Sequence, residues 1–358
     1  MRTNRDSTRQ INVGGVLIGG GTPVAVQSMT NTKTDDAEAT AAQIAALKAA
    51  GCDIVRVAVP DMEAARAIGE IKSRAEMPIV ADIHFDYRLA LEAVAAGADK
   101  IRINPGNIGG EDRVKAVAEA CRARGVPIRI GVNGGSLERE ILSRHGGVTA
   151  QAMVESAMGH IELLHKYNFH DICVSLKASS VGLTVEACRL FSELSDYPIH
   201  IGITEAGGPF TGLVRSSVGL GALLLDGIGD TLRVSLTADP VEEVRAGIAI
   251  LKAAGLRNEG VKLISCPTCG RCDIDLLRLA AEVERRLERF EGELVVAVMG
   301  CTVNGPGEAR QADFGIAGGK GQGILFRKGK IVGKAPEHNL VDALIDMIES
   351  EDIPLPPS

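Results

Sequence analysis

Aromatic residues make up 3% of this 358-residue sequence, which leaves few platforms on which nucleic-acid bases could stack. The formal net charge of −7 has the wrong sign for a phosphate backbone, so a nucleic-acid partner is not expected. No uninterrupted apolar run approaches the roughly 20 residues a membrane-spanning helix needs. The start, Met1-Arg2-Thr3-Asn4-Arg5-Asp6, is polar with no apolar stretch behind it, which argues against secretion and for a cytoplasmic chain. Eight cysteines in a reducing compartment are expected to be thiols or metal ligands, not a disulfide framework. What the chain does have is length and 45% hydrophobic residues, enough for one large domain and a small one.

Three of the cysteines are grouped. Cys266-Pro267-Thr268-Cys269 is a C-x2-C pair, and Cys301 follows about thirty residues later in Met299-Gly300-Cys301-Thr302-Val303-Asn304-Gly305-Pro306-Gly307-Glu308. Soft thiolates with few hard ligands select zinc or iron-sulfur over magnesium or calcium. A zinc ribbon normally supplies a second C-x2-C knuckle, and that knuckle is missing. Three thiolates on a four-iron cluster leave one iron with a different ligand, and Glu308, beyond the Gly305-Pro306-Gly307 turn, could reach back to it as a weak, exchangeable carboxylate. Cys272 extends the run to C-x2-C-x2-C; it reads as the opening of the next helix, with a ligand role as the alternative. Cys52, Cys121, Cys173 and Cys188 stand alone and read as packing residues.

Upstream, a short β-branched run, a polar or Gly-rich loop and an Ala/Leu-rich segment repeat eight times. The strands are expected at 22–29, 54–59, 78–85, 100–105, 127–133, 171–178, 198–206 and 231–238. Helices such as 36–50, which opens with acids and stops at Gly51, and 240–254, which stops at Gly255, lie between them. This is the pattern of an α/β fold of the (β/α)8 TIM-type barrel class. An open doubly wound sheet would carry a Gly-rich loop after the first strand, whereas Gly19-Gly20-Gly21 precedes it. Residues 9–20 read as a small hairpin plugging the barrel floor. The expected domains are the barrel at 1–255, a linker at 256–262 and a small α+β metal domain at 263–358, with a helix at 273–290, strands at 294–299, 313–317, 323–326 and 330–334, and a last helix at 337–350.

Four of the eight strands hold an arginine between Ile or Val residues: Arg56, Arg102, Arg129 and Arg233. Period-two alternation turns the apolar neighbours to the helices and the arginines into the barrel. Asn104, Asn133 and Ser235, two residues further on, share that inward face, and Lys177 ends the sixth strand. Acids on strands are few: Asp82, Asp86 and Glu205. Buried cations need a counter-charge, and arginine presents a fork that matches phosphate oxygens, so a phosphate or diphosphate ligand is expected; interior salt bridges are the bland reading. His84 reads as a substrate-contacting or proton-relaying group, or as a satisfied interior hydrogen bond. Glu205 ends the seventh strand, where catalytic groups of such barrels gather.

Cys266-Pro267-Thr268-Cys269-Gly270-Arg271, Met299 through Ala309, Ile101-Arg102-Ile103-Asn104-Pro105-Gly106-Asn107-Ile108-Gly109 and Ile128-Arg129-Ile130-Gly131-Val132-Asn133 together resemble the bacterial 4-hydroxy-3-methylbut-2-enyl diphosphate synthase family of the non-mevalonate isoprenoid pathway. The resemblance covers nearly the whole chain. It implies a (β/α)8 barrel followed by a [4Fe-4S] domain, with Cys266, Cys269, Cys301 and Glu308 as cluster ligands. It implies that Arg56, Arg102, Asn104, Arg129, Asn133, Lys177, Arg233 and Ser235 bind the diphosphate of 2-C-methyl-D-erythritol 2,4-cyclodiphosphate, with Thr204 and Glu205 near the reacting end. The family usually has another residue where Cys272 stands, and the lack of a large insert matches its two-domain bacterial form. The implied reaction is a reductive ring opening with loss of water, fed by reduced flavodoxin or ferredoxin, with Glu308 as the exchangeable ligand and Glu205 or His84 supplying or orienting a proton.

In a (β/α)8 barrel the eighth helix returns the chain to the end opposite the mouth. A linker at 256–262 spans at most about 25 Å, which is short for travelling around a barrel. A head-to-tail homodimer, with the cluster of one subunit at the mouth of the other, is therefore expected. Two other classes stay open on the residues alone: a non-redox barrel enzyme on a phosphorylated metabolite with a structural zinc, and an iron-sulfur sensor whose barrel binds a ligand without turnover.

Overall fold

Alternation along each strand decides which side chains face the helices and which face one another across a barrel. The computed structural model describes residues 5–104, 106–258, 260–287, 289–290, 292–301 and 309–351. The chain divides into two compact units, Met1–Arg257 and Asn258–Ser358.

In the first unit, strands β3 (Ala25–Met29), β4 (Ile54–Ala58), β5 (Ile79–Asp82), β6 (Lys100–Ile103), β7 (Ile128–Asn133), β8 (Ile172–Lys177), β9 (His200–Ile201) and β10 (Thr231–Leu232) form one eight-stranded sheet. The order is β8-β7-β6-β5-β4-β3-β10-β9, every ladder is parallel, and a bridge from Val174 to Ile199 brings β8 against β9. Helices α1 (Ala37–Ala49), α2 (Met62–Arg74), α3 (Tyr87–Ala95), α4 (Glu111–Arg124), α5 (Arg139–His145), α6 (Ala150–Lys166), α7 (Val181–Leu194), α8 (Pro209–Leu225) and α9 (Pro240–Ala253) connect them.

Local chemistry starts and stops these helices. The Asp61 carboxylate accepts the Ala64 N–H at 2.9 Å at the start of α2. Gly125, at φ 65°, ends α4 in the left-handed conformation a side chain would strain. The outward residues Val55, Val57, Ile79, Ile101, Ile103 and Ile130 pack with Ile44, Leu47, Ile68, Val117 and Leu164 of the helices in one core. Burying each such aliphatic side chain contributes roughly 2 kcal/mol.

The segment at 9–20 is a hairpin of β1 (Ile11–Val13) and β2 (Val16–Ile18). Its Ile11, Val13 and Ile18 pack on the inward residues Ala25, Ile54, Val80 and Cys173, closing the barrel floor. Two strands are shorter than the sequence pattern suggests. β9 leaves its ladder after Ile201 and β10 after Leu232, so Thr204, Glu205 and Ser235 sit on loops; Glu205, at φ 51°, has a backbone no ladder accepts.

The second unit carries the sheet β11 (Val261–Ser265), β12 (Leu294–Met299), β13 (Phe314–Gly319), β14 (Gln322–Arg327) and β15 (Lys330–Pro336), in that order. The β11-β12-β13 pairs are parallel and the rest antiparallel. Helices α10 (Leu276–Leu287) and α11 (Leu340–Glu349) cover it through Leu279, Val283, Leu344 and Ile348. β11 takes up Val261 and Lys262, which the sequence pattern assigned to the linker, because they pair with Leu294 and Val295. Residues 302–308, including Glu308, and Pro105 lie outside the described residues.

Candidate active site

The inward rows carry Arg56 on β4, Asp82 on β5, Lys100 and Arg102 on β6, Arg129 on β7, Lys177 on β8 and His200 on β9, with Arg233 directly after β10. Asp82, 3% exposed, is the hub. Its Oδ1 lies 3.2 Å from Arg102 Nη1, and its Oδ2 lies 3.9 Å from Arg56 Nε and 3.3 Å from His84 Nε2. Burial alone would raise the Asp82 carboxyl, but Arg56, His84 and Arg102 outweigh it and hold the group well below the usual carboxylate range. Arg233 turns to Glu243 of α9, with Nη2 3.2 Å from Oε2, and Glu243 also accepts the Leu236 N–H at 2.9 Å.

Arg129 is 1% exposed, and its Nε, Nη1 and Nη2 have no hydrogen-bond partner. Burial first, then Arg56 and Arg102, push its guanidinium well below the ordinary arginine range. Lys177 is pushed well down by burial and by Arg129, Arg56, Arg233 and Arg102. Arg56 falls to about 10 through burial and its cationic neighbours, against the pull of Asp82. Six inward cations, Arg56, Lys100, Arg102, Arg129, Lys177 and Arg233, therefore outnumber the three buried acids among the described residues, Asp82, Asp230 and Glu243, of which Asp230 is taken up by the Ile199 amide and Thr8. That imbalance is chemically suited to a polyanion.

Two inward glycines make room for this charge. A Cβ on Gly131 would stand 2.5 Å from Arg102 Nε, and one on Gly202 would stand 2.7 Å from Lys177 Nζ. Gly131→Ala is expected to displace the Arg102 guanidinium and raise the substrate KM about tenfold, the equivalent of roughly 1–3 kcal/mol of overpacking, with a normal circular dichroism spectrum. An unchanged KM would show that the Arg102 position is immaterial.

The remaining sequence-predicted residues line the rim. Asn104 is buried, and its Oδ1 accepts the Gly106 N–H at 3.1 Å. Asn133, Thr204 and Ser235 are half-buried, while His84 and Glu205 are exposed. Asp86 is not part of the site: it caps α3 and pairs with Arg88 at 2.7 Å. An acid directly before a helix serves the free amides there better than it serves the barrel interior.

Sequence reasoning missed several groups. Lys100, 0% exposed with an unpartnered Nζ, lies two residues before Arg102, and burial lowers it to about 8. His200, also fully buried with Nε2 unpartnered, is driven well down by burial and by Arg129, Lys177 and Lys100. The period-two signal that exposed Arg102 also covered both. Glu243 carried no such signal, since it reaches in from a helix. The buried His160, whose Nε2 lies 2.8 Å from Oε1 of the half-buried Glu138, supports the turn after Asn104: a Cβ on Gly106 would meet Glu138 Oε1 at 3.2 Å and His160 Cε1 at 3.3 Å.

In the second unit, β11 and β12 run parallel with Ser265 opposite Val298, so Cys266 and Cys301 follow neighbouring strand ends. The Gly300 N–H donates to Cys266 Sγ at 3.2 Å. Cys269 is exposed, Cys266 and Cys301 are half-buried, and none of the three is in a disulfide. Cys272 has a partner of its own. Its Sγ donates to the Ile274 carbonyl at 3.2 Å, and Gly300 is approached so closely that a Cβ there would stand 2.7 Å from that sulfur. Cysteines outside any disulfide, with an amide aimed at one sulfur, fit a thiolate-held metal group, although among the described residues no three His, Cys, Asp or Glu side chains converge as a ready ion site.

Comparison with known proteins follows the same division. The family described as the GcpE TIM-barrel domain matches residues 8–248, and that described as the GcpE protein C-terminal domain matches residues 262–350. The chain is 60% identical over 342 residues to the 4-hydroxy-3-methylbut-2-en-1-yl diphosphate synthase (flavodoxin) of Geobacter sulfurreducens, covering 96% of this chain and 97% of that one. The proteins of the same name from Caldanaerobacter subterraneus subsp. tengcongensis and Geobacillus kaustophilus are each 58% identical, over 96% and 97% of this chain and 97% and 94% of theirs. Among solved structures, the Yersinia pestis dihydropteroate synthase matches with a TM-score of 0.52 at 12% identity, over 70% of this chain and 98% of that one, a likeness of fold alone. With both units matched and relatives this similar along almost the entire length, the chain belongs to the GcpE family.

Proposed function

We infer that this chain catalyses the reductive ring opening and dehydration of 2-C-methyl-D-erythritol 2,4-cyclodiphosphate to 4-hydroxy-3-methylbut-2-enyl diphosphate, with reduced flavodoxin as electron donor. Two electrons and two protons enter, one ring C–O bond is cleaved, and one water leaves. The observation that carries the site assignment is Arg129, whose three buried guanidinium nitrogens have no protein partner amid cations that outnumber the buried acids.

Arg56, Arg102, Arg129, Lys177 and Arg233 bind the diphosphate, and Asn104, Asn133 and Ser235 orient its oxygens. Asp82 holds Arg56, Arg102 and His84 in place through the contacts above. Thr204 and Glu205 face the reacting end from the rim, where Glu205 or His84 holds a proton for the departing oxygen. Cys266, Cys269, Cys301 and Glu308 would hold a [4Fe-4S] cluster, which when bound supplies electrons one at a time. The flavodoxin named for the relatives above favours this reading over a zinc-bearing non-redox enzyme or a sensor.

A head-to-tail dimer completes the proposal. The chain leaves α9 at the end of the barrel opposite the mouth, and β11 begins shortly after, at Val261; a second copy supplies the thiolates without a long linker. The exposed apolar row Phe210, Val214, Val218 and Leu225 along α8 offers surface for that copy. The test is complementation: Cys301→Ser and Arg56→Ala chains should each be nearly inactive, and dimers mixed from them should recover part of wild-type turnover. Either variant turning over normally alone defeats its half of the site, and no recovery in proven mixed dimers defeats the dimer arrangement.

A further inference from the structure

Glu205 is one of three non-glycine residues with positive φ among the described residues. Its left-handed backbone costs about 1–2 kcal/mol, and such strain persists only where neighbouring groups hold it. Arg215, half-buried on the second turn of α8, is placed to do so. Its Nη1 donates to the Glu205 carbonyl at 3.2 Å and to the Ala206 carbonyl at 3.4 Å, and its Nη2 donates to the Ser179 carbonyl. Ser179 lies two residues after Lys177, so one guanidinium ties the turn bearing Glu205 to the loop that leaves the Lys177 strand. On the other side, the Thr237 N–H donates to the Gly207 carbonyl at 3.1 Å. The turn is thus clamped to both flanking loops, and only the Arg215 side uses a side chain.

We propose that Arg215 is a positioning residue that holds Glu205 over the reacting end of the substrate by fixing its left-handed turn. The planar fork reaches three carbonyls at once, whereas a lysine ammonium at the same position cannot span them with comparable geometry. Arg215 spends its hydrogen bonds on these carbonyls, so diphosphate binding is not its task. The inference rests on the reading of Glu205 as a group acting on substrate.

The test is a double-mutant cycle of wild type, Glu205→Gln, Arg215→Ala and the double variant, with Arg215→Lys as the conservative control. Turnover and the substrate Kd measured without reductant are both read on cluster-loaded enzyme. Arg215→Ala is expected to lower kcat about 10–100-fold, the scale of a small misplacement of a reacting group, with Kd within about twofold of wild type. Arg215→Lys should recover only part of the loss. In the Glu205→Gln background, removing Arg215 should cost almost nothing more. Wild-type kcat for both Arg215 variants, an equal loss in both backgrounds, or a loss confined to Kd each overturns the proposal. If Glu205→Gln itself turns over normally, it is the assignment of Glu205 that fails.

Discussion

An Arg129→Met protein should unfold at a higher temperature than wild type and bind the cyclodiphosphate at least about a hundredfold more weakly. The two effects share one cause. Arg129 is buried, carries three unpartnered nitrogens, and sits among Arg56, Arg102 and Lys177. Replacing an unpaired buried charge by an apolar side chain of similar length removes a desolvation penalty and like-charge repulsion, a gain on the order of 1–4 kcal/mol. The same change takes a bidentate donor from the diphosphate, which costs roughly 2–5 kcal/mol of binding. Thermal unfolding without substrate and titration with cyclodiphosphate without reductant read the two effects separately. A protein that is less stable and binds normally would mean that Arg129 is a structural cation with a partner of its own.

Cys301→Ser should abolish turnover, by more than about a thousandfold, and remove most acid-labile sulfide, while Cys272→Ala should keep both. Cys301 follows the end of β12, whose parallel neighbour β11 delivers Cys266, and the Gly300 amide between them already points at the Cys266 sulfur. Cys272 instead donates to the Ile274 carbonyl. Its loss should lower stability by about 1 kcal/mol through a small cavity. Iron and sulfide analysis of anaerobically reconstituted variants reads the outcome; loss of sulfide in the Cys272 variant would reassign that residue as a ligand.

The barrel was legible because each strand alternates β-branched residues with the interior residues themselves, as in Ile101-Arg102-Ile103-Asn104. The same alternation places Arg56, Arg102, Arg129 and Arg233 inside. It could not tell which cation meets which acid. That Arg233 turns to Glu243 while Arg102 meets Asp82 depends on register between strands and on where α9 begins, and neither is encoded in a local pattern. Lys100 and His200 were overlooked because they begin their strands, where the residues that follow draw attention to the rim. Asp86 was misassigned for a local reason, since a carboxylate after a strand and before a helix fits both roles until the Arg88 amide is seen to donate to it. The turn at Glu205 was hidden because its conformation is imposed from outside, by Arg215 ten residues further on.

The most direct test is a single-turnover experiment under anaerobic conditions, with cluster-loaded protein, reduced flavodoxin and the cyclodiphosphate, in which product and metal are measured on one sample. The account predicts 4-hydroxy-3-methylbut-2-enyl diphosphate in proportion to chains that carry both iron and sulfide. Zinc without sulfide, together with unconverted cyclodiphosphate, would contradict it.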